Sequence, residues 1–191
     1  MSNRILVFYG SYRSDRMGIR LADFVVERLR RRRDEVELID AKAINLPMLD
    51  RMYKEYPKGE APATLEQLAR KIRGADGFVF VTGEYNWGVQ RGLKNLTDHF
   101  LEEWFWRPAA IVSYSAGRLS GARAATAWHG TLSEMGMVVI SSTIAQLYGE
   151  RIANRLVWWG FLPLAFSIAL MALVLTLPPS ADMLSGRPGA N

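Results

Sequence analysis

The sequence predicts an α/β domain built on a doubly wound, five-stranded parallel sheet. Two observations predict it. Five short apolar runs alternate with segments whose apolar residues recur at helical spacing, and strict alternation of this kind builds a parallel sheet with helices on both faces. Three polar loops then fall after the first, third and fourth runs: GSYRSDR, GEYNWG and SYSAG. In such sheets ligands sit beyond the carboxyl ends of the strands, near the topological switch point.

The first run, residues 5–9, is continuously apolar, as a central strand covered on both faces must be. Ala22, Val25, Val26 and Leu29 follow at helical spacing and end in Arg30-Arg31-Arg32-Arg33. Cations there complement the negative pole of a helix dipole, so the run reads as a solvated helix end. Residues 36–39, VELI, form the second strand, and residues 45–63 a long polar loop with Pro47, Pro57, Gly59 and Pro62. Thr64 opens the next helix, with Gln67 three residues on as a capping box. Leu65, Leu68, Ala69 and Ile72 give that helix one apolar face. The third strand is residues 77–82. A helix from Leu93 to Trp106 follows, carrying Leu96, Phe100 and Leu101. Residues 109–114 are the fourth strand. Ala122, Ala125, His129 and Leu132 mark a helix face, and residues 137–141 are the fifth strand.

Bulk composition narrows the function. The 191 residues are 49% hydrophobic and 23% charged, as in a folded globular chain. A net charge of +5 suits anionic ligands or an acidic membrane surface without pointing to nucleic acid. With no cysteine there is no disulfide, thiol nucleophile or cysteine-ligated metal, and two histidines cannot make a histidine-rich metal site. The N-terminal apolar run is short and ends in Gly-Ser, which reads as a buried strand and not a signal peptide.

The first loop lacks G-x-G-x-x-G, which disfavours a classical dinucleotide site. It offers instead Ser11, Arg13, Ser14 and Arg16 at the start of a helix, a set that matches a phosphate monoester. In the third-strand loop, glycines flank Glu84, Tyr85, Asn86 and Trp87, a composition able to seat a flat heteroaromatic ring. The fourth loop, Ser113 to Gly117, half-matches the hydrolase elbow G-x-S-x-G with Ser115 as nucleophile. That triad needs an acid and then a histidine after the serine. Only His129 follows, with no aspartate between them, and its spacing puts it on the helix face with Ala122, Ala125 and Leu132, as a packed histidine. Small residues here serve better to let backbone approach a ring.

Taken together these loops resemble the NADPH-dependent FMN reductase family, flavodoxin-like flavoenzymes that include quinone, azo-dye and chromate reductases. The matching residues are G-S-x-R-x-x-R at 10–16, E-Y-N-x-G at 84–88, G-L-K-N at 92–95 with Asp98, E-W at 103–104 and V-S-Y at 112–114. The resemblance implies a flavodoxin-like sheet of order 2-1-3-4-5 with noncovalent FMN in a domain over residues 1–150. Ser11, Arg13 and Arg16 would hold the phosphate, with Met17 and Gly18 opening the helix behind it. Glu84, Tyr85, Asn86, Trp87 and Gly88 would line the isoalloxazine, and Ser113, Ser115, Ala116 and Gly117 would approach its other edge. It further implies NAD(P)H as donor and a small-molecule acceptor: a quinone, free flavin, azo compound or metal oxyanion. No catalytic side chain or metal is required, because flavin N5 carries the hydride. A homodimer or homotetramer is implied, with Phe100, Trp104 and Trp106 as suitable contacts. An electron carrier without NAD(P)H activity is the alternative. Three departures stand out: Gly83 where proline is common, loosening that turn; Arg91-Gly92 where Pro-Gly is common, adding a cation; and a bulkier fourth loop.

The tail from 151 to 191 does not fit that family. Residues 156–177, from Leu156 to Leu177, carry no charge. As a helix they would extend about 33 Å, enough to cross a bilayer core. Trp158 and Trp159 lie at one end, and Arg151 and Arg155 precede them, against Arg187 after. That asymmetry predicts a membrane anchor with the domain on the cytoplasmic side. A helix packed on the domain, a dimer element, or a fused or shifted reading frame would also explain the abrupt change in composition.

Overall fold

The computed structural model describes residues 2–140. The proposed anchor, and the end of the last strand at residue 141, lie outside the described residues. Five strands form one parallel sheet of order β2-β1-β3-β4-β5, the order the resemblance implies. They are β1 (Arg4–Tyr9), β2 (Glu35–Asp40), β3 (Gly77–Gly83), β4 (Pro108–Tyr114) and β5 (Val138–Ile140). The helices are α1 (Ile19–Arg31), α2 (Ala41–Ile44), α3 (Ala63–Arg73), α4 (Arg91–Asp98) and α5 (Ala122–Glu134). Single 3-10 turns occur at Tyr53–Glu55 and Glu102–Trp104.

Alternation along the strands divides the core in two. Leu6, Phe8, Phe78 and Phe80 face α3, α4 and α5, while Val7, Tyr9, Val79 and Val81 face α1. Every residue of β3 is buried, as its unbroken apolar sequence requires. The first face is an aromatic stack. Phe8 and Phe80 lie parallel at 5.1 Å, Phe80 stacks on Trp128 at 5.7 Å, and Trp104 meets Phe78 edge-on at 5.1 Å.

Four expectations are corrected. The helix from Leu93 to Trp106 stops at Asp98, and the chain turns through Glu102–Trp104. This turn inserts Trp104 into the core, where its indole N–H reaches the carbonyls of Phe100 and Thr97. Phe100 and Trp104 are therefore core residues and unavailable to a partner; of the three proposed contacts, Trp106 alone is exposed, at 85%. On α5 the buried face is Ala124, Trp128 and Leu132, and His129 is exposed. Trp128 sets that rotation: its large ring stacks on Phe80 while its N–H donates to Thr82 Oγ1 at 3.0 Å. Thr64 does not cap α3, which begins at Ala63 with Pro62 before it and no side-chain cap. Pro62 needs no donor partner, and its carbonyl accepts the Glu66 N–H. Finally, Gly83 is not a loose turn residue. It ends β3, and a Cβ there would lie 2.8 Å from Gln90 Nε2 and 2.9 Å from the Tyr114 ring, so glycine permits close packing.

The arginine run behaves as a helix end. Arg31 pairs with Glu27 and Arg32 with Asp34, while Arg30 donates to the Val36 carbonyl.

Candidate functional site

Strand register brings the three loops to one edge of the sheet. Tyr9 aligns with Val81 and Gly83 with Tyr114, so the chain leaves β1, β3 and β4 at the same edge, β3 and β4 running slightly beyond β1. The first loop packs against the start of α4. A Cβ on Gly10 would lie 2.2 Å from that of Leu93, and one on Gly92 would lie 2.4 Å from the Gly10 carbonyl oxygen. Two glycines thus let backbone meet backbone at the site.

Within the first loop, the two arginines have different roles. Arg13 is exposed and forks onto Asp15, at 3.0 and 3.1 Å. Arg13's hydrogen bond holds the Asp15 carboxyl below its ordinary range. Arg16 is three-quarters buried or more and grips both oxygens of Asp40 at 2.6 Å each. It also donates to the Ser11 carbonyl at 3.2 Å. Asp40 meanwhile caps α2 by accepting the Lys42 N–H at 3.0 Å. Arg16 therefore ties the first loop to the end of β2. Ser11 is buried, and its hydroxyl lies 3.2 Å from that of Tyr85. Met17 is 63% exposed, and Gly18 is buried against the Tyr114 hydroxyl.

The third loop is a two-residue hairpin. The Tyr85 and Gly88 N–H groups each donate to the other's carbonyl, at 3.0 and 2.9 Å. Asn86 (φ 48°) and Trp87 (φ 74°) both take left-handed conformations, the signature of a type I′ turn. Trp87 is 67% exposed, with the Arg123 guanidinium 4.2 Å from its ring centre. Glu84 accepts from the Arg123 backbone N–H at 3.3 Å and from its Nη1 at 3.4 Å. The Glu84 carboxylate is thereby held at the positive end of α5.

The fourth loop stands apart. Ser115 Oγ accepts the Gly117 N–H at 3.2 Å, and Ser113 Oγ reaches the Ser120 carbonyl at 3.4 Å. Ala116 and Gly117 are exposed. Among the described residues no histidine hydrogen-bonds Ser115, and exposed His129 is not oriented by a carboxylate. Tyr114, by contrast, is central: its hydroxyl accepts from Gln90 Nε2 at 3.0 Å and donates to the Tyr9 hydroxyl at 3.4 Å. Burial, reinforced by that contact with Tyr9, pushes the Tyr114 phenol well above its ordinary range.

A cleft of about 640 Å³ opens beside the first loop. Tyr12, Arg13 and Tyr85 line it together with Leu46, Met48, Gln90, Arg91 and Asn95. The structure thus brings together the first loop, part of the third and the start of α4. Of the residues the resemblance assigns to the cofactor, Arg13 and Tyr85 line the cleft; Ser11, Arg16, Met17, Gly18, Glu84, Asn86, Trp87 and Gly88 lie around it without lining it, as do Ser113, Ser115, Ala116 and Gly117. Leu46 and Met48 escaped sequence reasoning, as did Gln90 and Tyr12. One signal was present for the first two: the long loop follows β2, the neighbour of β1, and so must emerge at the same edge. Asn95 holds that loop by accepting the Leu49 N–H at 2.9 Å and donating to the Pro47 carbonyl at 2.8 Å.

Fold and cleft together define a flavodoxin-like α/β domain with an arginine-bearing cleft at the carboxyl ends of its strands. A model of the NADPH-dependent FMN reductase family matches residues 3–148. The chain belongs to that family. Its sequence is 38% identical over 122 residues to an NAD(P)H-dependent FMN reductase of Schizosaccharomyces pombe, an alignment covering 58% of this chain and 57% of that protein. It is 46% identical over 66 residues to a quinone reductase of Escherichia coli K12, covering 32% and 35%. The chain thus aligns with little more than half the length of the first relative, and with about a third of the second. Among solved structures it resembles FerB, a flavoenzyme NAD(P)H:(acceptor) oxidoreductase of Paracoccus denitrificans. The TM-score is 0.60 at 25% identity, over 74% of this chain and 76% of that one. A second family model, of proposed vitamin uptake transporters, matches residues 129–189.

Proposed function

We propose that this chain is an FMN-dependent NAD(P)H oxidoreductase acting on a small-molecule acceptor such as a quinone. The observation that carries the reading is the cleft of about 640 Å³, lined by Arg13 and Arg91 and by no acidic residue, in a member of this family. The residues present fit FMN in chemistry. Arg13 supplies a planar cation for the phosphate, with the buried Ser11 hydroxyl behind it against Tyr85, and Tyr85, Leu46 and Met48 supply apolar wall. Arg16 acts one step back, since its pair with Asp40 is shielded and outside the cleft lining, whereas Arg13 lines the cleft and its pair with Asp15 is solvent-exposed and readily exchanged. FMN, when bound, supplies the redox centre that takes electrons from a nicotinamide and gives them to an acceptor.

This chain's own residues position and exclude. Tyr85 bridges the third loop to Ser11. Gln90, Tyr114 and Tyr9 form a hydrogen-bonded row beneath the loops, and the Tyr114 phenol stays protonated at neutral pH. No side chain need act as acid or base. The test is steady-state NAD(P)H oxidation with a quinone, with and without added FMN. FMN-dependent turnover supports the reading; bound FMN without turnover identifies an electron carrier instead.

We further propose two parts, a reductase domain over residues 1–150 and a hydrophobic tail over 151–191 that attaches the domain to the cytoplasmic face of a membrane. The two family matches, to residues 3–148 and 129–189, support this division, and the uncharged stretch from Leu156 to Leu177 supports the attachment. Recovery of the full chain in the aqueous phase of a detergent partition would refute attachment. A homodimer is proposed on the resemblance, with exposed Trp106 as its test position: Trp106→Ala should lower the dimer fraction in sedimentation.

A further inference from the structure

Arg91 is the first residue of α4 and lines the cleft, yet it is exposed and has no hydrogen-bond or ion-pair partner among the described residues. Its neighbours are differently placed. Arg13 is forked onto Asp15, Arg16 onto Asp40, Arg123 onto Glu84, and Lys94 onto Asp98 at 2.6 Å. Beside Arg91 lies Gln90, 1% exposed, whose Oε1 has no partner. The start of α4 thus combines an unpaired cation and the positive end of a helix on a cleft wall without a carboxylate, and the buried Gln90 Oε1 beside them is an acceptor able to take a hydrogen bond from a hydroxyl or N–H of the same ligand. One FMN brings one phosphate, which the proposed oxidoreductase reading gives to Arg13. A second cation facing the same cleft calls for a second anionic group.

We propose that Arg91 is the subsite for the 2′-phosphate of NADPH, and so sets preference for NADPH over NADH. This rests on the oxidoreductase reading and deepens it. A phosphate monoester carries close to two charges and accepts from a guanidinium in a fork, whereas the 2′-hydroxyl of NADH offers neither. A charge-assisted hydrogen bond is worth about 1.5–3 kcal/mol, which is roughly tenfold or more in affinity.

The test is calorimetric titration of the full chain, with and without FMN, using adenosine 2′,5′-bisphosphate, 5′-AMP and inorganic phosphate as probes. The wild type should bind the bisphosphate about tenfold more tightly than 5′-AMP. Arg91→Ala should abolish that preference, and Arg91→Lys should keep part of it. In turnover, the NADPH:NADH ratio of kcat/KM should fall about tenfold in Arg91→Ala. The inference is overturned if the wild type shows no preference, if Arg91→Ala retains it, or if inorganic phosphate binds as tightly as the bisphosphate. Thermal melting of both variants guards against misfolding, and Arg91→Lys carries the test should Arg91→Ala melt early. Failure to take up FMN would sink the oxidoreductase reading, while the nucleotide titration would still decide the subsite.

Discussion

Arg16 and Asp40 offer a perturbation that separates two roles for an arginine beside a phosphate site. Both fork contacts are 2.6 Å, and the side chains are 20% and 13% exposed. Hydrogen bonds between charged groups contribute about 1.5–3 kcal/mol each when well shielded; partial exposure reduces the pair to about 2–3 kcal/mol in total. Arg16→Ala removes the fork and the contact with the Ser11 carbonyl, and should cost about 2 kcal/mol by urea unfolding. Asp40→Ala also loses the α2 cap and should cost about 3 kcal/mol. Asp40→Asn keeps the cap and loses the charge. If Arg16 works by shaping the loop, all three variants weaken FMN binding, read by quenching of flavin fluorescence. If Arg16 instead grips the phosphate directly, Asp40→Asn frees it and FMN binds more tightly. Tighter binding in Asp40→Asn, or a loss under about 0.5 kcal/mol in Arg16→Ala, would refute the reasoning.

Other perturbations follow from neighbouring contacts. Trp128→Phe keeps most of the stack on Phe80 but removes the donor to Thr82 Oγ1, which retains its own bond to the Gly83 carbonyl, and should cost about 1 kcal/mol of unfolding free energy. Gly92→Ala places a Cβ 2.4 Å from the Gly10 carbonyl oxygen, so it should abolish FMN binding and lower the melting temperature. Trp87→Gly removes a side chain from a left-handed position (φ 74°). It should be neutral or stabilising by up to about 1 kcal/mol while impairing turnover. Tyr114 has a raised folded-state pKa, so its contribution to stability is full below the unfolded value of about 10 and is lost as pH rises above it. Tyr114→Phe should therefore flatten the alkaline fall in stability, measured by urea midpoints between about pH 8 and 11.

The sheet was legible because each strand is a continuous apolar run too short for a helix and bounded by turn residues. Residues 77–82 predicted β3 to within one residue, and the observed strand is buried throughout. Helix faces were less legible where one large side chain decides the rotation. His129 and Ala125 had the right spacing, but Trp128 stacks on Phe80 and turns them outward. The break after Asp98 was hidden for a similar reason: Phe100 and Trp104 keep helical spacing while the chain between them turns.

At the candidate site, residue types were readable and their partners were not. Arg13 and Arg16 are equivalent in the string, yet one is exposed on Asp15 and the other shielded by Asp40, 24 residues away. Glu84 sits in the expected ring loop, but its carboxylate belongs to the start of α5. Leu46 and Met48 reach the cleft in a loop that Asn95 holds through two hydrogen bonds, across a sequence distance no local pattern reveals.

The central claim is that this domain holds FMN and turns it over with NAD(P)H. It is tested most directly by the visible spectrum of the purified full chain, titrated with FMN and then with NADPH under anaerobic conditions. The account predicts about one flavin per chain, with the 450 nm region bleached by NADPH and restored by a quinone. A chain that stays colourless at saturating FMN, or a bound flavin that NADPH and NADH both leave oxidised, would contradict it.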